Sequence, residues 1–129
     1  MSYQDAYGSY HAVNLDAQTS RASPVELVLL LTDGLLDELA RVSAHIIGKR
    51  YEQKAAGIDK CCEIINGLSS SLDFDSGGET VANVAKLYDF CSSRLQGAGI
   101  KMDPAMVDEV VGVLTTIRQG WQGVQARNA

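Results

Sequence analysis

From Ser23 to Leu36 the chain reads Ser-Pro-Val-Glu-Leu-Val-Leu-Leu-Leu-Thr-Asp-Gly-Leu-Leu, which sets where a helix starts and demands that it be covered on more than one side. The Ser23 hydroxyl can accept a hydrogen bond from the Glu26 amide, Pro24 suits the first helical position, and Glu26 can reach back to the Ser23 amide, so the start is a capping box. At 100° per residue, Val25, Val28, Leu29, Leu35, Leu36, Leu39, Val42, Ile46 and Ile47 share one broad stripe fit to face a core. Leu27 and Leu30 fall on the far side, with Leu31 at the stripe's edge. Gly34 lies on that far side too and opens a shallow notch. A helix apolar on both faces has something against both faces.

The notch is costly in isolation, because glycine in a helix interior loses about 1 kcal/mol against alanine. No strong breaker follows until Gly48, placed where a C′ glycine belongs, so the helix runs for roughly 36 Å at 1.5 Å per residue. A second helix is expected from about Tyr51 to Leu72, with Tyr51, Ala55, Ile58, Cys62, Ile65, Ser69 and Leu72 at helical spacing and Cys61 and Leu68 beside them. Asp73-Phe-Asp-Ser-Gly-Gly78 ends it, with Ser76 or Glu79 starting the next. A third helix is expected over about Glu79 to Gly97, carrying Val81, Val84, Ala85, Tyr88, Cys91 and Leu95 inward and Phe90 outward, with a turn at Gly97-Ala-Gly-Ile100. Asp103-Pro104 repeats the cap-plus-proline signature and opens a fourth through about Val124, with Met106, Val110, Val113, Leu114, Ile117 and Trp121 inward. The remaining residues, 125–129, are expected to fray.

Four helices joined by short loops predict an all-α, antiparallel up-and-down four-helix bundle spanning residues 23–129. Residues 1–22 are a distinct piece, expected to be a short capping segment, helical or mobile. Tyr3, Tyr7 and Tyr10 are spaced to put three rings on one helix face, with Val13 following. Too short to hold a helix alone in water, the segment must dock on the bundle, dock on a partner or stay mobile.

Composition excludes more than it selects. The chain has 129 residues, 46% of them apolar and 21% charged, enough for one domain with one core. Its net charge of -5 repels phosphate backbones and anionic surfaces and argues against a nucleic-acid partner. Cys61, Cys62 and Cys91, odd in number and without framework spacing, suggest reduced thiols in the cytosol. The first residues lack the basic and apolar regions of a secretory signal. The longest apolar run, Leu27 to Leu31, is far below the roughly 20 residues of a membrane span, so no membrane insertion is expected.

Catalytic and metal-binding patterns fail on concrete requirements. His11 and His45 form neither a His-x-x-x-His pair nor the Glu-x-x-His spacing of a bundle metal site, and His45 falls on a polar face. Adjacent cysteines on a helix point about 100° apart and cannot chelate one metal, so Cys61 and Cys62 read as small buried residues. The loop at Asp73 resembles the start of a calcium loop, but Val84 stands where a bidentate glutamate is required. No Gly-Lys-Ser/Thr follows Gly77-Gly78, and no serine sits in a nucleophile elbow. No metal, no cofactor and no enzymatic activity are expected.

Taken in order, several of these motifs resemble the FliS-type flagellar export chaperones: Tyr3-Gln-Asp-Ala-Tyr-Gly-Ser-Tyr10, Ala22-Ser-Pro-Val-Glu-Leu-Val-Leu-Leu-Leu-Thr-Asp-Gly34, Leu68-Ser-Ser-Ser-Leu-Asp73, Gly77-Gly-Glu79, Leu87-Tyr-Asp-Phe90 with Arg94-Leu95, and Trp121. The resemblance covers nearly the whole chain. It implies a helical bundle without enzymatic activity whose client is the C-terminal segment of flagellin, disordered when free. It implies also that the N-terminal segment caps an apolar groove and yields it to the client, and that the cargo is passed to a flagellar export gate component at the membrane. On this basis Leu27, Leu30, Leu31, Gly34, Leu87 and Phe90 are the candidate groove, and Tyr3, Tyr7, Tyr10 and Val13 the candidate cap. A self-associating bundle, whose surplus apolar face forms a weak homodimer, is the alternative.

Overall fold

A computed structural model describes residues 23–128 of the chain. They form four helices, α1 (Pro24–Ile47), α2 (Tyr51–Ser70), α3 (Phe74–Lys101) and α4 (Pro104–Asn128), and no strand among the described residues. Each helix packs on the two next to it, α1 on α2 and α4, α3 on α2 and α4. Short connections between successive helices make the neighbours antiparallel, so this is an all-α up-and-down bundle with α1 diagonal to α3.

The termini follow from local chemistry. The Glu26 amide donates to Ser23 Oγ at 3.2 Å, and Pro24 takes the first helical position. At the far end of α1, Gly48 has an ordinary φ of -81°, and the left-handed residue is its neighbour Lys49, φ 55°. Gly48 is thus not the left-handed glycine its position suggested. Asp73 caps α3, its Oδ1 accepting from the Asp75 and Ser76 amides at 3.1 and 3.3 Å, which assigns the start to Asp73 and not to Ser76 or Glu79. One turn later Gly78, at φ 60° and ψ -140°, breaks the helical path, so a first turn and a long helix meet at a kink. Only glycine adopts that backbone region at little cost.

The core is a continuous column: Leu35, Leu39, Val42 and Ile46 from α1, Ile58, Cys61, Ile65 and Leu68 from α2, Tyr88, Cys91, Leu95 and Ala98 from α3, and Val107, Val110, Leu114 and Ile117 from α4. Each large aliphatic side chain so buried contributes about 1.5 to 3 kcal/mol. Three features depart from the helical-wheel expectation. Ile47 is 69% exposed, because it falls at the last residue of α1 where no facing helix remains. Tyr51 and Ala55 are exposed and Cys62 and Ser69 only partly buried, so the buried stripe of α2 is turned toward Gly57, Cys61 and Leu68. The expected turn at Gly97 to Ile100 is helix, since α3 continues to Lys101, and α4 likewise continues past Val124 to Asn128.

The glycines of that stretch serve close packing instead. A Cβ on Gly99 would stand 2.6 Å from Ile58 Cδ1, and the Gly99 carbonyl accepts from Lys54 Nζ at 2.9 Å, which satisfies a backbone group near the end of α3. Gly57 does the same between α1 and α2, where a Cβ would come to 2.8 Å from Val42 Cγ2.

Candidate functional site

The candidate groove residues divide between two seams. On α1, Glu38 and Val42 face α2, as their closeness to Gly57 shows, while Asp33 faces α4, where the Arg118 guanidinium donates to its carboxylate at 2.6 and 3.2 Å. Leu27, Leu31 and Gly34 precede Glu38 at helical spacing and therefore descend the side of α1 turned toward α2. Leu30 stands further round, toward solvent. Leu27, Leu30 and Leu31 are partly buried, and Leu31 packs against the core. Among the described residues nothing lies within 4 Å of a Cβ built on Gly34, so the notch is open.

Leu87 and Phe90 belong elsewhere. Arg94, one turn beyond Phe90, donates to Glu109 of α4 from Nε at 2.8 Å and from Nη2 at 3.3 Å, so this side of α3 faces α4. Leu87, Phe90 and Arg94 recur at helical spacing along the rim, and the Arg94 guanidinium lies over the Phe90 ring at 5.8 Å. Leu87 is 40% and Phe90 41% exposed, which makes them large apolar side chains presented to solvent. Since α1 and α3 are diagonal, the α1/α2 seam and the α3/α4 seam lie on opposite sides of the bundle. The expected single groove is in fact two separate strips. Tyr3, Tyr7, Tyr10 and Val13 lie outside the described residues.

One residue of the α1/α2 seam escaped the sequence reading. Counting the antiparallel register from Gly57 against Val42 sets Gly67 of α2 level with Leu30 and Gly34. Gly67 is exposed and its Cβ position equally empty.

Polar chemistry around the seams is structural. Glu38 is nearly buried and accepts two hydrogen bonds from Arg41, at 3.0 and 2.6 Å. His45 accepts from Arg50 Nε at its Nδ1, 2.9 Å, in the turn between α1 and α2. Burial pushes the Cys61 thiol up to about 12, helped by the nearby Glu38 carboxylate, and pushes Cys91 up to about 11. Burial raises Cys62 as well, against the opposing hydrogen bonds of Ser92 and Gln96. Thiols held protonated in this way are poor nucleophiles and poor metal ligands. Among the described residues no group of three His, Cys, Asp or Glu side chains is placed to hold a metal ion, and no helix is long and apolar enough to cross a membrane.

What the two strips offer is apolar surface at helical spacing, suited to amphipathic helices or extended apolar segments. The family model described as flagellar protein FliS matches residues 6–128. The flagellar secretion chaperone FliSB of Pseudomonas aeruginosa is 34% identical over 119 residues, 92% of this chain and 94% of the relative. The flagellar secretion chaperones FliS of Vibrio cholerae and Bacillus subtilis are each 31% identical, over 90% and 98% of this chain and 85% and 91% of their own. Sequence motifs, bundle architecture and these relatives together make this chain a member of the flagellar protein FliS family.

Proposed function

We propose that the protein is a cytosolic flagellar secretion chaperone that binds the disordered C-terminal segment of flagellin, keeps it from polymerising, and passes it to an export gate component at the membrane. It performs no catalysis. The observation that carries the reading is the pair of apolar strips on opposite sides of one bundle, on a chain whose relatives are named secretion chaperones. A client that wraps the bundle touches both; one that lies in a single groove touches one. Residues 1–22 act as a cover, with Tyr3, Tyr7, Tyr10 and Val13 over Leu27, Leu30, Leu31 and the Gly34 notch until the client displaces them. Tyrosine suits a detachable cover because its ring buries while its hydroxyl stays wet.

Energetically, a few leucine-sized anchors at about 1.5 to 3 kcal/mol each offset the roughly 2 to 5 kcal/mol of ordering a disordered client. The test is calorimetric. Leu30→Asp and Phe90→Asp, each at an exposed or half-exposed site, should weaken binding of a flagellin C-terminal peptide at least tenfold while leaving helical circular dichroism unchanged. Affinity untouched by both substitutions would refute the two-strip assignment. A stable dimer in light scattering that the peptide neither binds nor dissociates would favour self-association instead.

A further inference from the structure

Among the described residues five large apolar side chains are exposed, and three of them, Ile47 at 69%, Tyr51 at 58% and Ile100 at 84%, belong to neither strip. Ile47 is the last residue of α1, Tyr51 the first of α2 and Ile100 the last but one of α3, so all three lie at the end of the bundle that holds the α1–α2 and α3–α4 turns. Lys54 joins two of them. Its Nζ donates to the Gly99 carbonyl at 2.9 Å and stands 5.8 Å from the Tyr51 ring, which sets that ring and the backbone at Gly99 on either side of one ammonium group. Leu87 and Phe90 recur along one helix, whereas these three come from three helices, with Ile47 and Ile100 on the diagonal pair α1 and α3. They are spread around one end and do not line a groove.

The charge of this end is opposite in sign to that of the chain. Residues 45–54 and 99–104 hold the cations Lys49, Arg50, Lys54 and Lys101 against the carboxylates Glu52 and Asp103, in a chain of net charge -5. The ion pairs among the described residues use Arg41, Arg94 and Arg118, so none of the four cations at this end has a carboxylate partner there. Arg50 donates to His45 Nδ1 and Lys54 to a carbonyl, while the Asp103 carboxylate accepts from the Ala105 amide at 2.9 Å. The Lys49 and Lys101 side chains, both exposed, have no hydrogen-bond or ion-pair partner among the described residues. Charges more than a Debye length of about 8 Å apart are largely screened, and α1 alone, at 24 residues, is roughly 36 Å long. Carboxylates further along the bundle therefore leave this local field standing.

We propose that this end of the bundle is a peripheral membrane contact that rests on a bilayer containing anionic lipid, with Lys49, Arg50 and Lys101 on headgroup phosphates and Ile47, Tyr51 and Ile100 reaching the boundary beneath them. Each residue type here suits one layer of such a surface. Lysine and arginine keep their charges at the headgroups while their stems lie along apolar surface, tyrosine favours the interface, and isoleucine enters the acyl boundary. Anchors spread around three helix ends meet a flat surface together, which a single protein segment does not offer. Four cations and three short anchors make the contact weak and reversible, and it requires no membrane-spanning helix. No candidate groove residue belongs to these turns, so client binding and this contact stand or fall separately.

The full-length protein is mixed at low salt with vesicles of phosphatidylcholine alone, or of equal parts phosphatidylcholine and phosphatidylglycerol, and the bound fraction is read by flotation. Binding to the mixed vesicles is expected, roughly tenfold weaker binding to phosphatidylcholine alone, and loss of both at high salt. Each lysine at an anionic surface contributes about fivefold in affinity, so Lys49→Gln with Lys101→Gln should weaken binding roughly twentyfold. Ile100→Ser should weaken it severalfold. Lys60→Gln with Lys86→Gln changes the net charge equally at exposed sites away from this end, and screening should hold its effect within about twofold. All of these sites are exposed, and the variants should melt as the wild type does. Equal losses from the two lysine pairs would reduce the effect to net charge and overturn the site, as would no binding to the mixed vesicles, or binding indifferent to Ile100→Ser. Binding of polyglutamate that Lys49→Gln with Lys101→Gln abolishes, without binding to vesicles, would assign this end to an acidic protein segment and overturn the membrane contact.

Discussion

A methyl group added at Gly34 meets open space, whereas one added at Gly57 comes to 2.8 Å from Val42 Cγ2, a stiff β-branched neighbour. Both glycines weaken their helices equally, so only their surroundings separate them. Gly34→Ala should raise stability by about 1 kcal/mol in urea unfolding and at the same time weaken flagellin-peptide binding by filling the notch. Gly57→Ala gains the same helix term but overpacks the α1/α2 contact at about 1 to 3 kcal/mol, and should come out destabilised by up to about 2 kcal/mol. The reverse order would contradict the placement of both residues. The cost of Gly34 is legible in the sequence; that nothing inside the described bundle requires it is not, because the distinction depends on what another helix puts within 4 Å.

Two thiols, Cys61 of α2 and Cys91 of α3, are fully buried in the core. Burial lifts Cys61 to about 12 and Cys91 to about 11 from an ordinary value of 9.0. Below about pH 9 folded and unfolded chains hold the same protons at these sites, and the stability of the protonated pair is fully present. As pH rises from there toward the folded values, the unfolded chain releases protons that the folded chain keeps, and stability falls by about 1.4 kcal/mol per pH unit per thiol. Unfolding free energy should therefore drop about 3 kcal/mol between pH 8 and pH 10, and the Cys61→Ala, Cys91→Ala double variant should lose that component. An identical pH slope in the variant would refute it. At this scale the helix starts at Ser23 and Asp103 were readable, because caps and prolines act locally, whereas the third helix was expected to start at Ser76 or Glu79 and is capped by Asp73. The continuation of α3 through Gly97 to Ile100 was not, because glycines that read as a turn serve close approach to Ile58 and Met106. The rotation of the α2 stripe was hidden for a similar reason: an all-round mixture of small and apolar residues leaves the face to be chosen by the partners.

For the molecule as a whole, periodicity and loop length were enough to predict the bundle, and the relatives named flagellar secretion chaperones agree with the resemblance seen in the motifs. The distribution of apolar surface was less legible. Leu27, Leu30, Gly34, Leu87 and Phe90 look like one groove until the diagonal placement of α1 and α3 separates them. That separation turns the central claim into a geometric one, that the client wraps and does not merely lodge. Amide chemical-shift mapping of the full-length protein with a flagellin C-terminal peptide measures it directly. The account predicts saturable shifts on both sides of the bundle, around Leu30, Gly34 and Gly67 and around Leu87, Phe90 and Arg94; shifts confined to one side, or none, would contradict it.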